Sequence, residues 1–234
     1  MTGDCHVRFG ERLAGKLRRS TQLDFTLLQW LSFEELKQEF EPIYDEVKRA
    51  SNITFRFSHP DPTTHQNSYT FYLMYEGPLP VTSTPKEIKV DITIKEKVFY
   101  APEELAVIKS CDEFTDLPKG EKILVYSLCE IATEKTVALL DRARTEPRDL
   151  YDLWYLTEQS SSVELGDCLE AINAKLAHRG KKLDEVREEF YKKEARLKKT
   201  WETRLSAQIA SLSEFDNVYR AVKRAFRQAK IIDA

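Results

Sequence analysis

The sequence predicts an α+β protein: a mixed sheet flanked by helices in the first half, followed by a C-terminal helical bundle. Three observations carry that expectation. Four segments alternate with a period of two and are rich in β-branched and aromatic residues, a long stretch between the first two has helical composition, and after Pro147 nearly everything to Lys230 reads as helix.

The first strand is Leu23-Asp24-Phe25-Thr26-Leu27. A helix over Phe33 to Ala50 follows, in which Pro42 predicts a kink or restart, because it has no N–H to donate and its ring crowds the preceding turn. Ile53-Thr54-Phe55-Arg56-Phe57 and Tyr69-Thr70-Phe71-Tyr72-Leu73 are the second and third strands. The turn-rich connector HPDPTTHQNS (59–68) makes them a long-looped hairpin, so the sheet is at least partly antiparallel. Ile88-Lys89-Val90-Asp91-Ile92-Thr93-Ile94 is the fourth.

From about Pro118 the pattern changes. The apolar run Ile123-Leu124-Val125-Tyr126 leads into a helical stretch to about Arg144, and Glu146-Pro147 breaks and restarts it. The polar stretch Gln159-Ser160-Ser161-Ser162 bounds the C-terminal bundle, and Arg179-Gly180 separates two further helices. The expected division is a core at 1–117 and a helical domain at 118–234. There is no internal repeat.

With 234 residues, 12 Phe, 10 Tyr and 3 Trp, the chain can bury a sizeable core. A net charge of −3 gives no global attraction to nucleic acid or membrane, so any such attraction must be local. Cys5, Cys111, Cys129 and Cys168 lie far apart without a Cys-x-x-Cys pair, which disfavours a zinc site and a disulfide framework and fits reduced thiols in a cytosol. The N-terminal stretch has no apolar signal region and the chain no run of about 18 apolar residues, so the expected location is cytoplasmic. Lys175 to Lys230 nevertheless holds 16 Lys/Arg against 8 Asp/Glu. It reads either as a basic arm or as a solvated helix face laced with pairs such as Glu188–Lys192 and Glu189–Lys193.

Two groups of residues point to chemistry. Ile131, Lys135, Leu139 and Arg142 follow one another at helical spacing, so the two basic groups share a face with apolar residues. Asp149 and Asp152, three apart in the next helix, meet Lys135 if the two helices pack side by side. That placement also has a purely structural reading, since the helix dipole alone favours Asp149 in a first turn and Arg148 has neighbouring acids to pair with. On the strands, Asp24 and Asp91 interrupt apolar runs where aspartate is depleted. Two strand aspartates brought side by side suit Mg²⁺, which takes a few carboxylate oxygens and leaves its other positions to water and phosphate.

At these residues a resemblance enters. RRSTQLDFTL (18–27) resembles the Arg-x-Ser-x-Asp-Leu-Asp-Phe motif of the nucleotidyltransferase superfamily. IKVDITI (88–94) resembles its later strand bearing a third carboxylate, and EK…RDLYDLWYL (134–156) is similar to a segment of the AbiEii/AbiGii toxin family. The resemblance implies Asp24 and Asp91 as catalytic metal ligands, Lys135 and Asp149 as catalytic residues, and Ser20, Lys135, Arg148, Asp149 and Asp152 as nucleotide-binding residues. It further implies Mg²⁺, a nucleoside triphosphate, an acceptor that is RNA such as tRNA or a protein hydroxyl, and a toxin–antitoxin or phage-defence setting with a cognate antitoxin. No membrane partner is expected, and the basic helices from Lys175 to Lys230 are the RNA-facing candidate.

The sequence departs from the family pattern in two places. Gln22 stands where the first aspartate of Asp-x-Asp belongs, and an amide offers a metal only a neutral oxygen. The Gly-Gly-Thr turn is missing, its region reading His6-Val7-Arg8-Phe9-Gly10. These departures open an alternative: an inactive nucleotidyltransferase-fold protein that binds a nucleotide or partner. Elsewhere, His59 and His65 fall in a proline-rich loop and read as turn residues, and Trp30, Trp154 and Trp201 read as packing residues before base-stacking platforms.

Overall fold

A computed structural model describes residues 5–8, 21–63, 66–77, 86–107, 120–141 and 146–233, with residues 5–8 and 21–22 in backbone only. The chain forms two compact units, one of residues 1–96 and 102–125 and the other of 97–101 and 126–234.

In the first unit, five strands pair in the order β1-β2-β5-β4-β3. They are β1 (Cys5–Arg8), β2 (Thr21–Leu27), β3 (Thr54–Pro60), β4 (Ser68–Glu76) and β5 (Lys86–Thr93). The sheet is mixed, as expected: β2 and β5 run parallel, while β1 on β2, β4 on β5 and β3 on β4 are antiparallel. A parallel pair needs a crossover, here supplied by helix α1 (Phe33–Ser51) and the β3–β4 hairpin. β6 (Glu103–Ala106) and β7 (Lys122–Val125) form a separate two-stranded ribbon.

The period-two pattern explains the core of this unit. Phe71 and Leu73 of β4, with Val90 and Ile92 of β5, are buried beside Leu27 and Leu36, while the alternate residues form the opposite face of the sheet. α1 covers the apolar face through Phe33 and Phe40, whose rings lie 5.8 and 5.5 Å from that of Phe71. The helix starts at a capping box: Ser32 Oγ accepts from the Glu35 amide, and the Glu35 carboxylate accepts from the Ser32 amide at 2.8 Å. It ends at Asn52, which takes the left-handed conformation (φ 57°) and donates its amide to the Lys48 carbonyl.

The restart expected at Pro42 does not occur, since α1 runs through it without interruption. The ring contacts on both sides and the box at the N-terminus hold the helix where local propensity disfavours it. His59 corrects a second expectation: it lies in β3 at an irregularity of the β3–β4 register and stacks on Tyr72 at 4.7 Å, not in the connector. β3 is an edge strand, where Pro60 is tolerated because no further strand needs its missing donor. His65 lies outside the described residues. Trp30 is 66% exposed and so is not a core residue.

The second unit is helical: α2 (Leu128–Asp141), α3 (Pro147–Trp154), α4 (Leu169–His178), α5 (Leu183–Lys192), α6 (Glu194–Leu205) and α7 (Phe215–Gln228). α3 widens into a π-helical turn at Tyr155–Gln159, and Gly180, at φ 70°, closes α4 as the Arg179-Gly180 break predicts. Leu139, Leu150, Ile172, Phe190, Leu197 and Phe226 pack in its core. Trp201 is buried and donates Nε1–H to the Ser213 carbonyl at 2.9 Å, while Trp154 packs partly buried on the same core. Among the described residues no helix is long and apolar enough to cross a membrane.

Candidate functional site

The strand carboxylates come together by register. In the parallel β2–β5 pair Asp24 lies directly opposite Asp91, and cross-strand partners share a face of the sheet. Asp91 is held on two sides: Thr70 Oγ1 donates to Oδ1 at 2.5 Å, and Lys89 Nζ donates to Oδ2 at 2.6 Å. Thr70 is buried, on the neighbouring strand β4 and opposite Asp91 in register. Lys89 is two residues before Asp91 and therefore on the same face.

The donor set fits a divalent cation. Two carboxylates on adjacent strands can share one ion, and each carboxylate oxygen keeps acceptor capacity beyond one hydrogen bond. The fit is that of a small site, because among the described residues no group of three or more His, Cys, Asp or Glu could hold a metal. Position 22, where the expected aspartate is replaced, is opposite Lys89 in register, and its side chain lies outside the described residues. Ser20 is outside them as well, and so is Arg142. His6 to Arg8, within the region expected to hold the glycine turn, belong to β1.

The second cluster belongs to the helical unit. Pro147 begins α3, whose N-cap is Glu146, and Asp149 sits in its first turn, where exposed amides and the helix dipole favour a carboxylate. Lys135 of α2 reaches across to α3 and ion-pairs with Asp149 at 2.9 Å and Asp152 at 2.6 Å. The side chains of Lys135 and Asp149 are about nine-tenths buried, and that of Asp152 is 34% exposed. An ammonium at such a depth requires opposite charge beside it, and two carboxylates supply that. Arg148 is exposed.

A third cluster was not legible in the sequence. Lys175, counted there with the basic arm, is buried in α4 and ion-pairs with Glu130 at 2.7 Å and with Glu134, both on α2. Glu130 Oε2 also accepts from the amides of Phe99 and Tyr100, at 3.1 and 2.9 Å. Glu134 and Lys135 are thus adjacent in sequence but serve different clusters. The sequence signal was the i,i+4 spacing of the two glutamates in a helix whose other charged residues are Lys135 and Asp141.

Much of the remaining positive charge at 175–230 is neutralised locally. Lys181 and Arg179 pair with Asp141, Lys198 with Asp216, Arg187 with Asp184 and Asp233, and Arg224 with Glu158. Burial would raise the Asp141 carboxyl, but Lys181 and Arg179 together outweigh it and hold the group below its ordinary value. The anticipated pairing of Glu189 with Lys193 is replaced: Glu189 binds Lys192 at 2.6 Å, and Lys193 donates to the Leu139 carbonyl at 2.7 Å. Burial lowers the Lys193 ammonium accordingly.

The mixed five-stranded sheet and the helical unit make an α+β fold similar to that of solved nucleotidyltransferase toxin structures. The family model described as "Nucleotidyl transferase AbiEii toxin, Type IV TA system" matches residues 14–229, and the chain belongs to that family. Among solved structures it is similar to the nucleotidyltransferase toxin MenT4 from Mycobacterium tuberculosis, with 16% identity, a TM-score of 0.58, and coverage of 100% of this chain and 78% of that one. It is also similar to JHP933 from Helicobacter pylori, at 15% identity, a TM-score of 0.47, and 97% and 84% coverage. No curated protein matches its sequence.

Proposed function

We propose that the chain is a working nucleotidyltransferase toxin, moving a nucleoside monophosphate from a nucleoside triphosphate to an RNA acceptor such as tRNA, or to a protein hydroxyl, with a cognate antitoxin as its partner. The observation that carries the reading is the register that sets Asp24 opposite Asp91. Asp24 and Asp91 are the proposed ligands of Mg²⁺, which when bound would neutralise phosphate charge and favour ionisation of the attacking hydroxyl. Thr70 and Lys89 hold the Asp91 carboxylate in orientation. Lys135, already desolvated between Asp149 and Asp152, is proposed to bind phosphate oxygens, with Asp149 fixing the direction of its ammonium. Arg148, exposed on α3, and Ser20 complete the proposed nucleotide-binding set.

The test is transfer from each of four α-labelled nucleoside triphosphates to total tRNA or to the protein itself, in Mg²⁺. Label that appears with the natural protein and disappears in Asp24→Ala and Lys135→Ala supports the reading. A second reading, an inactive member that acts by binding, is favoured by Gln22 at the position of the first aspartate. Silence in the natural protein together with label in Gln22→Asp would select it.

A further inference from the structure

We propose that Lys89 is a tethered cation of the strand carboxylates, so that a divalent ion binds Asp91 only by displacing the lysine ammonium. The proposal rests on the reading of Asp24 and Asp91 as metal ligands.

Four positions form a block across β2 and β5: Gln22 opposite Lys89, and Asp24 opposite Asp91. By formal charge these four positions sum to −1, where an acid at position 22 would make −2, and on β1 Arg8 lies opposite Asp24 in register. Lys89 Nζ is 2.6 Å from Asp91 Oδ2, and the two side chains are only 28% and 24% exposed, so water screens their attraction less than at an open surface. A divalent ion approaching that oxygen would meet the ammonium within a few ångströms and be repelled by it.

Thr70 differs in this respect. Its hydroxyl donates to Oδ1 without carrying charge, so it can stay in place while a cation binds. Lys89 must swing aside, and its flexible four-carbon stem and partial exposure allow that. Divalent-ion affinity is therefore set by competition within the protein.

Manganese(II) binding, followed by electron paramagnetic resonance without nucleotide, reads this directly. Lys89→Met should bind Mn²⁺ at least about tenfold more tightly than the natural protein, Lys89→Arg should match the natural protein, and Asp91→Asn should lose binding. Lys89→Gln, run in parallel, gives the same readout should the methionine variant fold poorly. If the neutral variants bind no more tightly while Asp91→Asn still loses binding, the proposal is overturned and the metal-ligand reading stands. Equal binding in the natural protein and Asp91→Asn would overturn both.

Discussion

Replacing Lys175 by methionine tests the cluster that joins α2 to α4. The ammonium is 1% exposed and ion-pairs with side chains that are 0% and 6% exposed, so methionine preserves bulk but leaves two buried carboxylates without the charge between them. Breaking a buried pair from one side costs about 3–5 kcal/mol. For a chain of 150–250 residues each kcal/mol corresponds to about 2–4 °C in Tm, so a fall of about 6–20 °C is expected. Far-UV circular dichroism during heating measures it, since the helical unit dominates that signal. Adding Glu130→Gln and Glu134→Gln should recover part of the loss, because neutral amides cost less to bury than carboxylates. A loss under about 1 kcal/mol for Lys175→Met, or a triple variant less stable than the single one, would refute the reasoning.

Two further perturbations address other parts of the molecule. Ser32→Ala removes the hydroxyl that accepts from the Glu35 amide at the N-cap of α1 while keeping the Ser32 amide that donates to the Glu35 carboxylate; the expected loss is about 1 kcal/mol, measured by urea denaturation of the protein. Burial, with Cys129 adjacent, pushes the Cys168 thiol from 9.0 up to about 12, so its contribution to stability holds below pH 9 and is lost as pH rises from there toward 12. Cys168→Ala should flatten the stability curve over that window, and peptide mapping should find Cys168 unmodified by a thiol reagent at pH 8 until the protein unfolds.

The two aspartate placements were legible in the sequence for different reasons. Asp24 and Asp91 stood out because a charged residue inside a period-two apolar run contradicts strand propensity, yet their direct opposition depends on a pairing between residues 67 positions apart, which no local pattern encodes. Lys135, Asp149 and Asp152 were legible from helical spacing alone, and α2 and α3 do pack as that spacing requires. Lys175 was invisible because charge counting treats every lysine as solvated, and its partners lie over forty residues away. Pro42 and His59 show tertiary packing overriding local signals: ring contacts carry α1 past the proline, and pairing with β4 draws the histidine into a strand. β1, β6 and β7 are four residues each, too short for alternation to register.

The grip of Glu130 on the amides of Phe99 and Tyr100 bears on how the protein can be divided or inherited. Residues 97–101 lie between β5 and β6 in sequence yet belong to the helical unit, so the chain visits that unit twice. No single cut yields it intact: a fragment beginning at Tyr126 would keep α2 but lose both amides that satisfy Glu130 Oε2. Recombination between relatives meets the same constraint, since an exchanged helical half would function with a foreign five-residue strap only where that strap offers the same two donors. The unit is modular in space but not in sequence.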